Sequence, residues 1–123
     1  MSKLKMTLAL FLASLTFCPV AATADGDARR GEKLFARCSA CHSENGQKKI
    51  GPSLAGVVGR KAGSLDGVRY SNALKQSNLV WTDESLNAFL TAPARLVPGT
   101  TMTVRISNEQ DRQDLISYMK SLN

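Results

Sequence analysis

Histidine and tryptophan each occur once in these 123 residues, tyrosine twice and cysteine three times. A zinc centre needs four closed ligands, and Cys38 and Cys41 have no second Cys/His pair to complete one. The longest apolar run, Met6 to Phe17, holds 12 residues. A bilayer span needs about 20, so this run does not cross a membrane. No dense basic run or recognition motif points to nucleic acid. No alternating strand, hairpin signal, internal repeat, low-complexity tract or interdomain linker appears, which leaves one small all-α domain.

The short apolar run has another use. Lys3 and Lys5 precede it and Ala22-Thr23-Ala24 follows it, the pattern of a secretory leader cut between Ala24 and Asp25. A lipoprotein start at Cys18 is disfavoured by bulky Phe17 just before it. The expected organisation is a cleaved signal over 1–24 and a single domain over 25–123. Losing Lys3 and Lys5 lowers the net charge from +6 to +4. That bias suits docking on acidic protein surfaces.

Cys18 would leave with the leader, and the two remaining cysteines lie in Cys38-Ser39-Ala40-Cys41-His42. Cys-x-x-Cys-His is the attachment signature of a c-type haem. Thiols three residues apart share a helix face and reach one edge of the porphyrin, and the adjacent imidazole turns toward the iron. A thioredoxin-like redox pair would need a βαβ context, and these surroundings read as helical. A 99-residue domain is marginal on its apolar core alone, so a buried haem would supply its centre and the apo-protein is expected to fold poorly.

Asp27 can cap a first helix running through Leu34 and Phe35 into the haem motif. Ser43 to Gly67 is rich in glycine and aperiodic, a wrapping segment. Thr82-Asp83-Glu84 opens a second helix with Leu86, Phe89 and Leu90 as its stripe, ending before Pro93. Ser107 with Gln110 reads as the capping box of a last helix whose stripe is Leu115, Ile116, Met119 and Leu122. Two methionines outside the leader could face the iron. Met119 fits the helix stripe, whereas Met102 sits in a Pro/Gly loop where nothing local asks for a thioether. Residue chemistry favours Met102 and leaves Met119 open.

In this order, Gly26-Asp27, Gly31, Phe35, Cys38 to His42, Gly51 to Leu54, Gly59-Arg60-Lys61, Tyr70-Ser71, Trp81, Pro98-Gly99-Thr100-Thr101-Met102 and Asp114 to Tyr118 resemble the class I cytochromes c, mitochondrial-type and bacterial. The resemblance covers residues 26–122. It implies the cytochrome c fold: three main helices, with short helices and loops wrapped around one covalently bound haem c. It implies His42 and Met102 as the iron ligands. It further implies Pro52 as the carbonyl partner of the second His42 ring nitrogen, and Arg60, Tyr70 and Trp81 as donors to the haem propionates. Phe89 and Thr100 are placed at the haem, and Gly31 at a close crossing of the first and last helices near Phe35, Leu115 and Tyr118.

The chain departs from the family in three places. Phe89 stands where a tyrosine usually lies near the methionine sulfur, and Leu74 where an asparagine is common. The segment after Met102 is one residue shorter and lacks a covering phenylalanine. Lys33, Arg37, Lys48, Lys49 and Arg95 keep basic positions of the family's docking face, while Thr101 replaces a frequent lysine.

The resulting expectation is a soluble, monomeric periplasmic one-electron carrier and not an enzyme. Its partners would be a quinol–cytochrome c oxidoreductase or periplasmic dehydrogenase as donor, and a terminal oxidase, peroxidase or photosynthetic centre as acceptor. One alternative is a peroxidase-like or gas-binding protein working through a labile Met102. Another is an electron-accepting subunit dedicated to one dehydrogenase.

Overall fold

The computed structural model describes residues 25–122; the leader expected over 1–24 lies outside the described residues. Among the described residues the architecture is helical: α1 (Ala28–Leu34), a 3-10 turn (Phe35–Arg37), α2 (Asn72–Gln76), α3 (Asp83–Thr91), α4 (Pro93–Leu96) and α5 (Glu109–Ser121). The only β-type pairing there is an isolated antiparallel bridge between Lys61 and Val80. No helix among the described residues is long and apolar enough to cross a membrane. The expected all-α class, three longer helices plus short ones, is the observed one.

Local chemistry explains where the helices start. The Asp27 carboxylate accepts from the amides of Arg29 and Arg30, satisfying donors that α1 leaves open. Thr82 and Ser85 form a reciprocal capping box on α3. Pro93 ends that run and opens α4, where its missing N–H costs nothing. At α5 the expected Ser107 cap is corrected to Asn108, whose side chain accepts from the Asp111 amide at 3.0 Å. Ser107 lies one residue outside, and its carbonyl accepts from Arg112. The first helix also stops earlier than expected. α1 ends at Leu34, and the haem motif occupies the turns beyond the 3-10 segment.

α1 and α5 cross almost without side chains between them. A Cβ on Gly31 would lie 2.0 Å from the Asp114 carbonyl oxygen and 2.7 Å from Tyr118 Cβ; on Gly26 it would lie 2.0 Å from the Gln113 carbonyl oxygen. Only glycine fits either position. Buried Asp114 then ties the crossing by accepting from the Asp27 amide (2.7 Å), Gln110 Nε2 (3.0 Å) and Arg30 Nη1. Beside it the rings of Phe35 and Tyr118 meet edge to face at 5.5 Å.

The core runs from this crossing through Leu115, Ile116 and Met119 of α5 to Leu86, Phe89 and Leu90 of α3 and to Trp81. Leu122 caps the end of α5 and is half-buried. The wrapping segment, as expected, contains no helix up to Ser71. It is pinned by scattered bonds: Gly51 N–H to the Cys41 carbonyl (2.7 Å), Leu54 to Ser43 (2.8 Å), Gly59 to Trp81 (2.7 Å) and Ala62 to Leu79 (2.8 Å).

Candidate functional site

The α1–α5 crossing delivers the Cys38–His42 motif to the edge of a cavity of about 310 Å³. That volume is within the range of small-ligand sites. The amides of Cys41 and His42 both donate to the Cys38 carbonyl, at 3.1 and 2.9 Å. The motif therefore keeps a single helical turn although α1 has ended, and Cys38, Cys41 and His42 all line the cavity. Neither thiol is in a disulfide; Cys38 is half-buried and Cys41 exposed. Burial pushes the Cys38 thiol up.

His42 Nδ1 lies 2.7 Å from the Pro52 carbonyl oxygen. That acceptor fixes the ring and leaves Nε2 as the free nitrogen. Gly51 makes the approach possible, because a Cβ there would come within 2.6 Å of His42 Cε1. Burial holds the His42 pKa below its ordinary value against the hydrogen bond to Pro52, with Arg60 and Lys49 adding to the depression. A neutral imidazole is the form that ligates metal.

The remaining expected residues, Arg60, Tyr70, Trp81, Phe89, Thr100 and Met102, line this same cavity. Arg60 donates from Nη1 to the Ala55 carbonyl (3.0 Å) and from Nη2 to the Ser53 carbonyl (2.7 Å), so the loop aims its fork before any ligand arrives. Burial lowers its pKa, and a guanidinium stays charged regardless. Trp81 and Phe89 are buried and meet edge to face at 5.0 Å. Met102 is half-buried in the loop after α4. Met119 also lines the cavity, from α5, where it is part of the packed core as its stripe position implies.

Several wall residues were not anticipated as such. Arg37 and Arg69 join Arg60, giving three cations, and the lining contains no carboxylate. Ile50 and Val104 lie at the wall and are 79% and 45% exposed, so they belong to its outer rim. The position of Arg69 beside Tyr70 is the one sequence signal that could have flagged it. Leu54, Val57 and Leu74 complete an apolar floor.

These walls fit a haem: two thiols and an imidazole at one edge, apolar surfaces for a flat macrocycle, cations for its carboxylates and a thioether in reach of the same space. Among the described residues no group of three or more His, Cys, Asp or Glu comes together to hold a metal ion directly.

The chain is similar to known proteins. The family model described as Cytochrome c matches residues 28–123. Cytochrome c of Euglena viridis is 51% identical over 100 residues, covering 79% of this chain and 98% of its own. Cytochrome c2 of Blastochloris viridis is 37% identical over 122 residues, covering 97% and 94%. Among solved structures, cytochrome cH from Methylobacterium extorquens superposes with a TM-score of 0.73 at 47% identity, covering 78% of this chain and 99% of its own.

Proposed function

Since the chain belongs to the cytochrome c family, whose haem c is bonded covalently, we propose that it is a periplasmic one-electron carrier with His42 and Met102 as its iron ligands. The observation that carries this reading is the convergence of Cys38, Cys41, His42 and Met102, from separate stretches of chain, on one cavity. Bound haem supplies a one-electron couple between ferric and ferrous iron.

The chain's own residues do the rest. Cys38 and Cys41 would hold the ring by thioether bonds, and Pro52 keeps the His42 imidazole oriented through Nδ1. Arg60, Tyr70 and Trp81 would pair the propionates, which must not be buried unpartnered. Phe89, Trp81 and Leu90 exclude water, and a low-dielectric surrounding with little reorganisation favours fast transfer. With His42 and Met102 both ligating the iron, no position would be left open to a substrate, which favours electron carriage over catalysis.

Export rests on the leader pattern of residues 1–24. Lys33, Arg37, Lys48, Lys49 and Arg95 are all exposed and favour an acidic partner face. Ile50 and Val104 at the cavity rim offer a small apolar contact beside them. Such a surface suits short-lived encounters of a monomer with donor and acceptor complexes: a quinol-oxidising complex or dehydrogenase on one side, and an oxidase, peroxidase or photosynthetic centre on the other.

The deciding experiment is a spectrum of the exported protein. Haem that resists acid–acetone extraction, with a far-red Met–iron band in the ferric form that peroxide leaves unchanged and a ferrous spectrum that carbon monoxide leaves unchanged, supports the carrier. Extractable haem, or an open iron that binds either ligand, overturns it in favour of the peroxidase-like or gas-binding reading. Transfer to an acidic partner should slow as salt rises.

A further inference from the structure

Residues 101–105, which carry Met102, make no hydrogen bond through backbone or side chain among the described residues. Backbone bonding stops at Thr100, whose amide donates to Val97 at 3.0 Å, and resumes at Ile106, whose amide donates to Leu90 at 2.8 Å. Thr101, Thr103, Val104 and Arg105 are exposed, so packing adds little between those points. A stretch without bonds of its own opens at little cost and takes the path its two ends impose.

The first end is short-range: Val97 is buried and its amide donates to Pro93 of α4 at 2.9 Å. The return end is held from across the molecule. Arg112 of α5 donates from Nη1 to the carbonyls of Ile106 and Ser107, both at 2.8 Å, and from Nε to Asn87 Oδ1 of α3 at 2.7 Å. One planar fork thus joins α5, α3 and the end of the methionine loop, which a lysine's single ammonium cannot copy. Arg112 is 8% exposed, and these three partners are neutral oxygens. A buried cation without a carboxylate is costly to keep, so its retention asks for a task beyond filling space.

We propose that Arg112 is a positioning residue for Met102: by clamping the return end of the 101–105 segment to α3, it sets how firmly the Met102 thioether is held at the haem cavity. This rests on the reading of Met102 as axial ligand. Without the clamp, the Ile106–Leu90 bond is left to hold that end, four residues from Met102.

The test compares the ferric holo-protein with its Arg112→Gln and Arg112→Lys variants in imidazole titrations. Displacement of Met102 is followed by loss of the far-red band, and denaturant unfolding is measured in parallel. Arg112→Gln should bind imidazole about fivefold tighter, the worth of one lost hydrogen-bonded anchor, with Arg112→Lys between it and wild type. Gly31→Ala, which weakens the fold at the α1–α5 crossing instead, should keep its imidazole affinity within about twofold of wild type. If Arg112→Gln does not fold, Asn87→Ala removes only the α3 side of the clamp and should shift affinity in the same direction by a smaller factor. Equal affinities in wild type and the Arg112 or Asn87 variants overturn the proposal, as does an equal gain in Gly31→Ala. A wild-type protein with no far-red band to lose overturns the Met102 assignment itself, and the proposal with it.

Discussion

Asp114→Asn isolates what ties the first helix, and with it the haem motif, to the last. Asp114 is 0% exposed. Its Oδ1 accepts from the Asp27 amide (2.7 Å) and Gln110 Nε2 (3.0 Å), and its Oδ2 accepts from Arg30 Nη1. Asparagine can keep the Oδ1 pair only by turning its NH2 toward the guanidinium, where it meets donors. A lost charge-assisted bond is worth about 1.5–3 kcal/mol, and a stranded amide adds to that. Arg30 is half-exposed and still pairs with Asp111 Oδ1 at 2.7 Å, so its own charge is not stranded. The net loss is about 2–3 kcal/mol, or roughly 10–20 °C in Tm for a domain this size. Burial raises the Asp114 pKa, but the bonds from Asp27, Gln110 and Arg30 and the Arg30 charge outweigh it and hold the carboxyl below its ordinary value. A folded pKa below the unfolded one stabilises fully above the unfolded value, about pH 3.9, and the stabilisation disappears as pH falls through the lower folded value. Urea unfolding of wild-type and variant holo-proteins from pH 7 down to pH 2 should therefore show two curves that converge in acid. A gap below about 0.5 kcal/mol at pH 7, or one that stays constant to pH 2, would refute the reasoning.

Three shorter predictions test other parts of the structure. Gly31→Ala should destabilise the holo-protein by about 1–3 kcal/mol in urea, because its methyl has no room against Asp114 and Tyr118; an unchanged midpoint would mean the helices do not cross there. Phe89→Tyr places a hydroxyl in an apolar wall. With Met102 as the ligand proposed above, a donor to its sulfur would weaken its electron donation to ferric iron, so the midpoint potential should rise by about 20–60 mV in a redox titration. No change in midpoint or in ferric Met ligation would sink that idea. Tyr118 donates to Glu44 Oε2 at 2.6 Å, which, with burial and the Glu44 charge, pushes its pKa up to about 12. A raised folded pKa favours the fold below the unfolded value near 10 and loses that contribution as pH rises to 12. Wild type should thus lose more stability than Tyr118→Phe between pH 10 and 12 by denaturant titration.

What could be read from the chain is what depends on few residues close in sequence. The Cys38–His42 spacing is set by covalent reach, and the Asp27 and Thr82 caps by side chains that bond amides two or three residues on. The last helix shows the limit of such reasoning. Ser107 and Asn108 are both competent caps, and the choice follows a tertiary event: Arg112 engages the Ser107 carbonyl while Asn108 faces the Asp111 amide. The cavity wall divides in the same way. Pro52 and Arg60 were found through family resemblance, but the Arg60 bonds to Ser53 and Ala55 depend on the path of an aperiodic loop. Arg69 and Ile50 reach the cavity because distant segments fold around it, whereas Arg37 reaches it as the neighbour of Cys38.

The two sides of the cavity are held by unequal means. His42 is oriented by a hydrogen bond to Pro52, and the chain around it is bonded at Cys41 and Ser43. Behind it stands the α1–α5 crossing, with two glycines in backbone contact and a buried carboxylate. The Met102 segment has fixed ends and an unbonded middle. Rigid covalent attachment demands the first arrangement, since both thiols and the imidazole must meet one macrocycle in register. A single thioether needs only one atom placed, which a short exposed loop can do if its ends do not move. On the proposed ligand set, stability would be concentrated where three bonds must form together, and the least-bonded stretch of the fold would carry the one bond that can be exchanged. The burial pattern follows that division: Phe35, Leu115 and Tyr118 are buried behind the haem motif, while four of the five residues from 101 to 105 are exposed.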